Sequence, residues 1–291
     1  MYLQTSVTSA PRSNKLLKVA TWKRAVSPLG VGTFASADVA SPRADPVTDD
    51  MAALDGALRE ELARFAGELA DAARKEIKPY WRKPLDVESK HEADRPVAES
   101  PVTIADRNAE AAMRRLIEAR YPAHGIVGEE FGSLRPDAEW CWVLDPIDGT
   151  KAFITGKPTF GTLIGLCRNG VPALGVVDQC VLDERWVGVA NPPSATLNGA
   201  PVRARAAPSL ADAMLYATTP HMFAAGHEAR AFASVRDAVK RPLYGADCYA
   251  YALLASGFNV DLVVEADLGK FTPTERRKTP TARMKYARAG L

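Results

Sequence analysis

Soft metal ligands and disulfide formers are scarce in this chain. Its four cysteines, Cys141, Cys167, Cys180 and Cys248, are widely spaced and make no Cys-x-x-Cys pair. That excludes a thiolate zinc site and a disulfide scaffold, and leaves buried or incidental thiols of a reducing compartment. The four histidines, His91, His124, His221 and His227, are scattered and make no His-Glu-x-x-His motif, so no metal role is expected of them. No stretch reaches the roughly 18 consecutive apolar residues of a membrane span, so a soluble protein without a membrane partner is expected. There is no internal repeat.

Acid is missing at both ends. Residues 1–45 hold six Lys or Arg against two Asp and are rich in Ser, Thr and Ala, which fits a disordered organelle transit peptide rather than a secretory signal. Residues 269–291 hold seven Lys or Arg and one acid, without any apolar period, and read as a basic tail outside the packed domain. The total formal charge of +2 therefore hides a body, 46–268, that carries −8. An acidic body suits a carboxylate-lined cation site and argues against nucleic acid as a partner. The basic tail alone, with no aromatic platform beside it, does not change that expectation.

The body is large and apolar enough for a sizeable core, the chain being 47% hydrophobic over 291 residues. Leu54, Leu58, Leu62, Phe65, Leu69, Ala73 and Ile77 recur at three- and four-residue spacing, which predicts a long amphipathic helix. A polar loop near 83–100 and a helix over 106–120 follow. Short strands are expected at 125–128 and 140–145, then antiparallel strands at 159–167, 173–179 and 184–190 joined by Gly, Pro and Asn turns. Asn198-Gly199 predicts a hairpin turn. A strand at 209–218, helices near 227–240 and 248–257, and a last strand at 260–265 complete the pattern.

The most informative stretch is Trp142-Val143-Leu144-Asp145-Pro146-Ile147-Asp148-Gly149-Thr150. Two carboxylates three residues apart, on a turn after a strand, offer hard oxygen ligands of the kind Mg²⁺ takes together with substrate phosphate. Pro146 cannot extend a ladder and is expected to stop the strand. Gly149 lets main chain approach a ligand closely, and Thr150 can open a helix whose N–H groups face an anion.

This string, with Gly128-Glu129-Glu130 upstream, resembles the inositol-monophosphatase family of Mg²⁺-dependent phosphatases. Lys151–Pro158, the stretch VVDQCVLDERWVG at 176–188 and the stretch LYGADCYAYALLASGF at 243–258 are similar to its histidinol-phosphate phosphatase branch, especially the plant members. The similarity runs from about Asp86 to Leu268. It implies an α/β (α+β) fold, the layered α-β-α-β-α sandwich, with its last layer incomplete here. It also implies the site. Glu129, Asp145, Asp148 and the main-chain carbonyl of Ile147 would hold Mg²⁺, with Asp145 bridging two ions. Thr150 and Glu130 would orient the attacking water, and the amides of Gly149 and Thr150 would hold the phosphate. Asp247 would meet the alcohol half of a small phosphorylated substrate, where a carboxylate suits the ammonium and imidazole of histidinol phosphate. In the implied substrate site Glu129, Ile147, Asp148, Gly149, Thr150 and Asp247 act together. Lys90 would lie near the metals, and Thr103 with Asp106 would cap a helix or support the site.

The implied activity is hydrolysis of L-histidinol phosphate in histidine biosynthesis, with inositol monophosphate or another sugar phosphate as the alternative substrate. A plant-like relationship points to the chloroplast, with the cytoplasm as the alternative, and a homodimer is compatible with the family. Related sequences continue beyond Leu268 with a further metal-binding aspartate that this chain lacks. Its loss, and an extra Asn259, suggest a truncated chain, for which a non-catalytic relative is the third reading.

Overall fold

A computed structural model describes residues 4–6, 18–21, 55–84, 86–90, 100–206 and 209–266. The basic tail 269–291, His91, Leu54 and most of the first 45 residues lie outside them. In chain order the elements are β1 (Gln4–Ser6), β2 (Lys18–Thr21), α1 (Gly56–Ile77), β3 (Glu88–Lys90), β4 (Ser100–Val102), α2 (Ile104–Arg120), β5 (Gly125–Gly128), β6 (Gly132–Leu134), β7 (Trp140–Asp148) and α3 (Thr150–Ile154). There follow β8 (Gly161–Arg168), β9 (Val171–Gln179), β10 (Glu184–Ala190), β11 (Pro193–Leu197), β12 (Ala200–Pro201), β13 (Met214–Ala217), α4 (His227–Ala238), β14 (Arg241–Tyr244), α5 (Asp247–Ala255) and β15 (Leu262–Glu265).

The larger sheet has eight strands in the order β12-β11-β10-β9-β8-β7-β5-β6, and the second has five in the order β1-β2-β15-β13-β14. The larger is antiparallel except where β5 runs parallel to β7. In the second, β13 is parallel to both β14 and β15. The strands β1 and β2 fall in the segment read as a transit peptide, and β2 pairs antiparallel along β15. Residues 88–90 and 100–102 pair as a short ribbon within the segment expected to be loop.

Side-chain alternation along the strands explains the layering, since residues two apart share a face. On β8 and β9, Ile164, Leu166, Leu174 and Val176 join the core formed with α1 and α2. Leu163 and Val177 point the other way, to Cys248 and Ala252 of α5. On β15, Val263 meets Ala250 and Leu254 of α5, whereas Leu262 and Val264 meet Phe232 of α4. The order is thus α1 and α2, large sheet, α5, small sheet, α4. These five layers give the α-β-α-β-α sandwich, with α4 alone in the fifth among the described residues. Sheets covered on both faces need near-continuous apolar strands, which is how β7, β8 and β9 read.

The predicted long helix is α1, buried at Leu62, Phe65, Leu69, Ala73 and Ile77. Leu58, expected on the same face, is 36% exposed. Asp178 on β9 anchors the helix. Its fully buried carboxylate accepts from Arg74 Nε and from Arg185 Nε, each at 2.6 Å. The Asn198-Gly199 turn is formed with positive φ at both residues, as a two-residue hairpin requires. The strand expected over 209–218 is shorter, β13, entered from a 3-10 turn at Leu210–Asp212. Asn259, the residue extra to the family pattern, accepts from Arg205 Nη1 at 2.6 Å, beside the bidentate pair of Arg205 with Asp261.

Candidate active site

The Asp-Pro-Ile-Asp-Gly-Thr stretch lies at the end of a central strand. Pro146 does not stop that strand as its chemistry suggested; β7 continues to Asp148 through an irregularity. The partner register jumps from Asp145↔Leu163 to Asp148↔Gly161, so three steps on β7 face two on β8. Such a bulge absorbs a residue without an N–H and re-aims its neighbours. The Pro146 carbonyl is held by Thr162 Oγ1 at 2.8 Å, and Ile147 turns its side chain into the main core. Asp145 and Asp148 are thereby delivered at one strand end, Asp145 only 4% exposed.

Thr150 opens α3, as expected, and its hydroxyl donates to the Ile147 carbonyl at 2.9 Å. Gly149 has φ +84, and an added Cβ would lie 3.2 Å from Asp247 Cβ, Phe160 Cα and the Thr159 carbonyl. Only glycine allows both that backbone conformation and that closeness. The same contact shows that Asp247, 98 positions away by number, lines this site. Asp148 reaches the same helix, its Oδ2 accepting from the Cys248 amide at 2.8 Å.

Glu129 is brought level with the aspartates by parallel pairing. Gly128 lies opposite Leu144, and the Glu129 amide donates to the Leu144 carbonyl at 3.2 Å. In α/β sheets the carboxyl ends of neighbouring parallel strands are where ligands bind. On α2, Thr103 and Asp106 form a capping box: Asp106 Oδ2 accepts from the Thr103 amide at 2.9 Å, and the Thr103 hydroxyl accepts from the Ala105 amide at 3.2 Å. Burial pushes the Asp106 carboxyl up to about 6, and the nearby charge of Glu130 adds to that. Asp106 is thus both a cap and an electrostatic neighbour of Glu130. The side chain of Lys90 lies outside the described residues.

Asp247 occupies the first position of α5 with φ +44. Its carboxyl is pushed up to about 7, chiefly by burial and then by Asp148 and Glu265, against the opposing influence of Lys157 and Lys151. Glu265 is a residue that the sequence reading did not single out. It ends the last described strand, buried, and accepts from Thr218 Oγ1 and from the Tyr251 hydroxyl. An acid closing an otherwise apolar strand, LVVE, was the available signal.

Mg²⁺ fits the donor chemistry here: Asp145, Asp148 and the Ile147 carbonyl are hard oxygens on one turn, with Glu129 beside them. Among the described residues no three His, Cys, Asp or Glu side chains converge closely enough to enclose an ion alone. Mg²⁺ does not require such a cage, since it keeps waters and completes its shell with substrate phosphate.

The five-layer fold, with its acidic turn at the end of a central strand, is the architecture that the comparisons identify. The sequence profile of the inositol monophosphatase family matches residues 58–272, and the chain belongs to that family. It is 52% identical over 213 residues to the bifunctional phosphatase IMPL2, chloroplastic, of Arabidopsis thaliana, covering 72% of this chain and 59% of that protein. It is 35% identical over 196 residues to a histidinol-phosphatase of Chlorobaculum parvum, covering 67% of this chain and 73% of that protein. Among solved structures, an inositol monophosphatase from Zymomonas mobilis superposes with a TM-score of 0.60 at 44% identity, covering 71% of this chain and 76% of that one.

Proposed function

We propose that this chain is a Mg²⁺-dependent phosphomonoesterase that hydrolyses L-histidinol phosphate to L-histidinol and phosphate, and that it works in the chloroplast. The observation that carries the substrate is Asp247 packed against Gly149. A buried carboxylate beside two other acids is relieved by a cationic ligand. The amino-alcohol half of histidinol phosphate supplies that cation next to the phosphate site. The name of the Chlorobaculum relative, a histidinol-phosphatase, supports the same substrate, and the name of the Arabidopsis relative supports a phosphatase of the chloroplast.

In this scheme Glu129, Asp145, Asp148 and the Ile147 carbonyl would hold Mg²⁺. When bound there it would supply positive charge to the phosphate oxygens and lower the pKa of a water, toward a bond whose uncatalysed hydrolysis is among the slowest known. The amides of Gly149 and Thr150 seat the phosphate. Because the Thr150 hydroxyl proton is committed to the Ile147 carbonyl, its oxygen lone pairs are directed to accept from a water. Glu130, beside Asp106, is the second group that orients that water.

Inositol monophosphate is the second reading, favoured by the likeness to the Zymomonas structure and served by the same phosphate-binding turn. The test is phosphate release by the purified full chain with Mg²⁺ from L-histidinol phosphate and from inositol 1-phosphate. Preference for histidinol phosphate supports the first reading and preference for inositol phosphate the second. A folded chain silent on both overturns both in favour of a non-catalytic relative.

A further inference from the structure

The two glutamates of the metal region stand on a hairpin loop. Gly128 and Gly132 pair across β5 and β6, leaving Glu129, Glu130 and Phe131 as the loop. All three of its amides are bound from outside. The Glu129 amide donates to Leu144 of β7. The Glu130 amide donates to Glu110 Oε2 at 2.7 Å, and the Phe131 amide to Glu110 Oε1 at 3.2 Å.

Glu110, on α2, has no solvent exposure. Its Oε1 also accepts from Arg114 Nε at 2.7 Å, and the same guanidinium donates through Nη2 to the Gly132 carbonyl. One buried carboxylate and its cation therefore hold consecutive main-chain groups at 130, 131 and 132. The approach is possible because residue 128 has no side chain: an added Cβ would lie 1.9 Å from Glu110 Oε1. A buried charge satisfied in this way is costly to disturb, and its geometry is imposed on whatever it binds.

We propose that Glu110 is a positioning residue, which sets the loop conformation that aims Glu129 at the metal and Glu130 at the water. This rests on the metal-dependent reading given above. An acid whose only role was to neutralise Arg114 would not need two loop amides as well. Groups that orient metal ligands typically change affinity or activity by about 10–100-fold when altered.

The experiment is Mn²⁺ binding to the full chain followed by electron paramagnetic resonance, with thermal unfolding measured alongside, for the parent and for Glu110→Gln. Replacing one carboxylate oxygen by NH₂ sets a donor against a donor at the loop. The expected result is a folded variant with Mn²⁺ affinity lowered about 10-fold or more and the Mg²⁺ dependence of phosphate release shifted in the same sense. Glu110→Asp, which keeps the charge for Arg114 but falls one methylene short of the amides, should lose affinity in the same direction and carries the test if Glu110→Gln does not fold. Variants that lose thermal stability yet bind Mn²⁺ like the parent would overturn the positioning role and leave the metal reading intact. A parent chain that binds no Mn²⁺ would overturn the metal reading and this inference with it.

Discussion

The main-chain amide of Cys248 donates to Oδ2 of Asp148 at 2.8 Å, across 100 positions of sequence. The first amides of a helix have no partner within it, so α5 is docked by a carboxylate that is also a candidate metal ligand. Asp148→Asn keeps an acceptor for that amide, whereas Asp148→Ala removes it. Both changes should cost activity about 100-fold or more, at least the effect of an outer-shell change. Only the alanine variant should also lose about 1–2 kcal/mol of stability. Equal stabilities in urea titration would show that the bond does not anchor the helix.

Asp145→Asn removes a charge from the same turn while preserving shape. Mg²⁺-dependent phosphate release should fall by about 100-fold or more, with the thermal midpoint little changed. Retained turnover at saturating Mg²⁺ would displace Asp145 from the site.

Asp247→Ala should separate the two ends of the substrate. Turnover of histidinol phosphate should fall about 10-fold more than turnover of a simple aryl phosphate, as expected for one lost charge-assisted contact of about 1.5–3 kcal/mol. Parallel loss on both substrates would count against recognition by this carboxylate.

Asp178 holds Arg74 and Arg185 from a fully buried position. Asp178→Ala removes the buried acceptor that the two guanidiniums share and leaves them, as carboxylate partners, only the exposed Asp183 and Asp71, so it should destabilise the chain by about 2–3 kcal/mol. A loss under about 1 kcal/mol in chemical denaturation would show that those outer partners suffice.

The Asp106 carboxyl, pushed up to about 6 from an ordinary 3.8, binds its proton more tightly folded than unfolded. Its contribution therefore favours the fold most below about pH 4 and is lost as pH rises from about 4 to about 6. Asp106→Asn cannot ionise, so in metal-free buffer its stability relative to the parent should rise across that interval by on the order of 3 kcal/mol. A difference that stays flat with pH would show that Asp106 ionises normally in the fold.

All four thiols are buried. Burial pushes Cys141 and Cys180 up to about 11, Cys167 up to about 12, and Cys248 well above its ordinary range. Thiolate is the reactive form, so alkylation at pH 8 should be negligible in the native chain and reach four groups only after denaturation. Fast labelling of a native thiol would contradict this packing.

Local signals carried much of this molecule. The periodicity of α1, the Asn-Gly turn, the capping box at Thr103 and the run from Asp145 to Thr150 are each written within a few neighbouring residues. Pro146 misled because its lost N–H was read alone; the bulge that accommodates it needs Thr162 on the next strand. Leu58 misled because periodicity marks a face of a helix and not where along it burial begins, here at Leu62. Glu110 and Glu265 were missed for a related reason. Each is an acid in an unremarkable local setting, and its role appears only when a loop or a strand from elsewhere in the chain reaches it.

The segment after α3 and the turn ahead of α5 are fastened partly through a main-chain oxygen. The carbonyl of Gly245, just ahead of α5, accepts from Lys157 Nζ at 2.7 Å and from Thr159 Oγ1 at 3.0 Å. A carbonyl is supplied by every amino acid, but Gly245 has φ +79 and an added Cβ would lie 2.5 Å from Lys157 Nζ. A side chain at 245 would therefore push the lysine off its acceptor. The latch is accordingly under genetic control from both sides, through the two donors at 157 and 159 and through the empty space that only glycine leaves at 245.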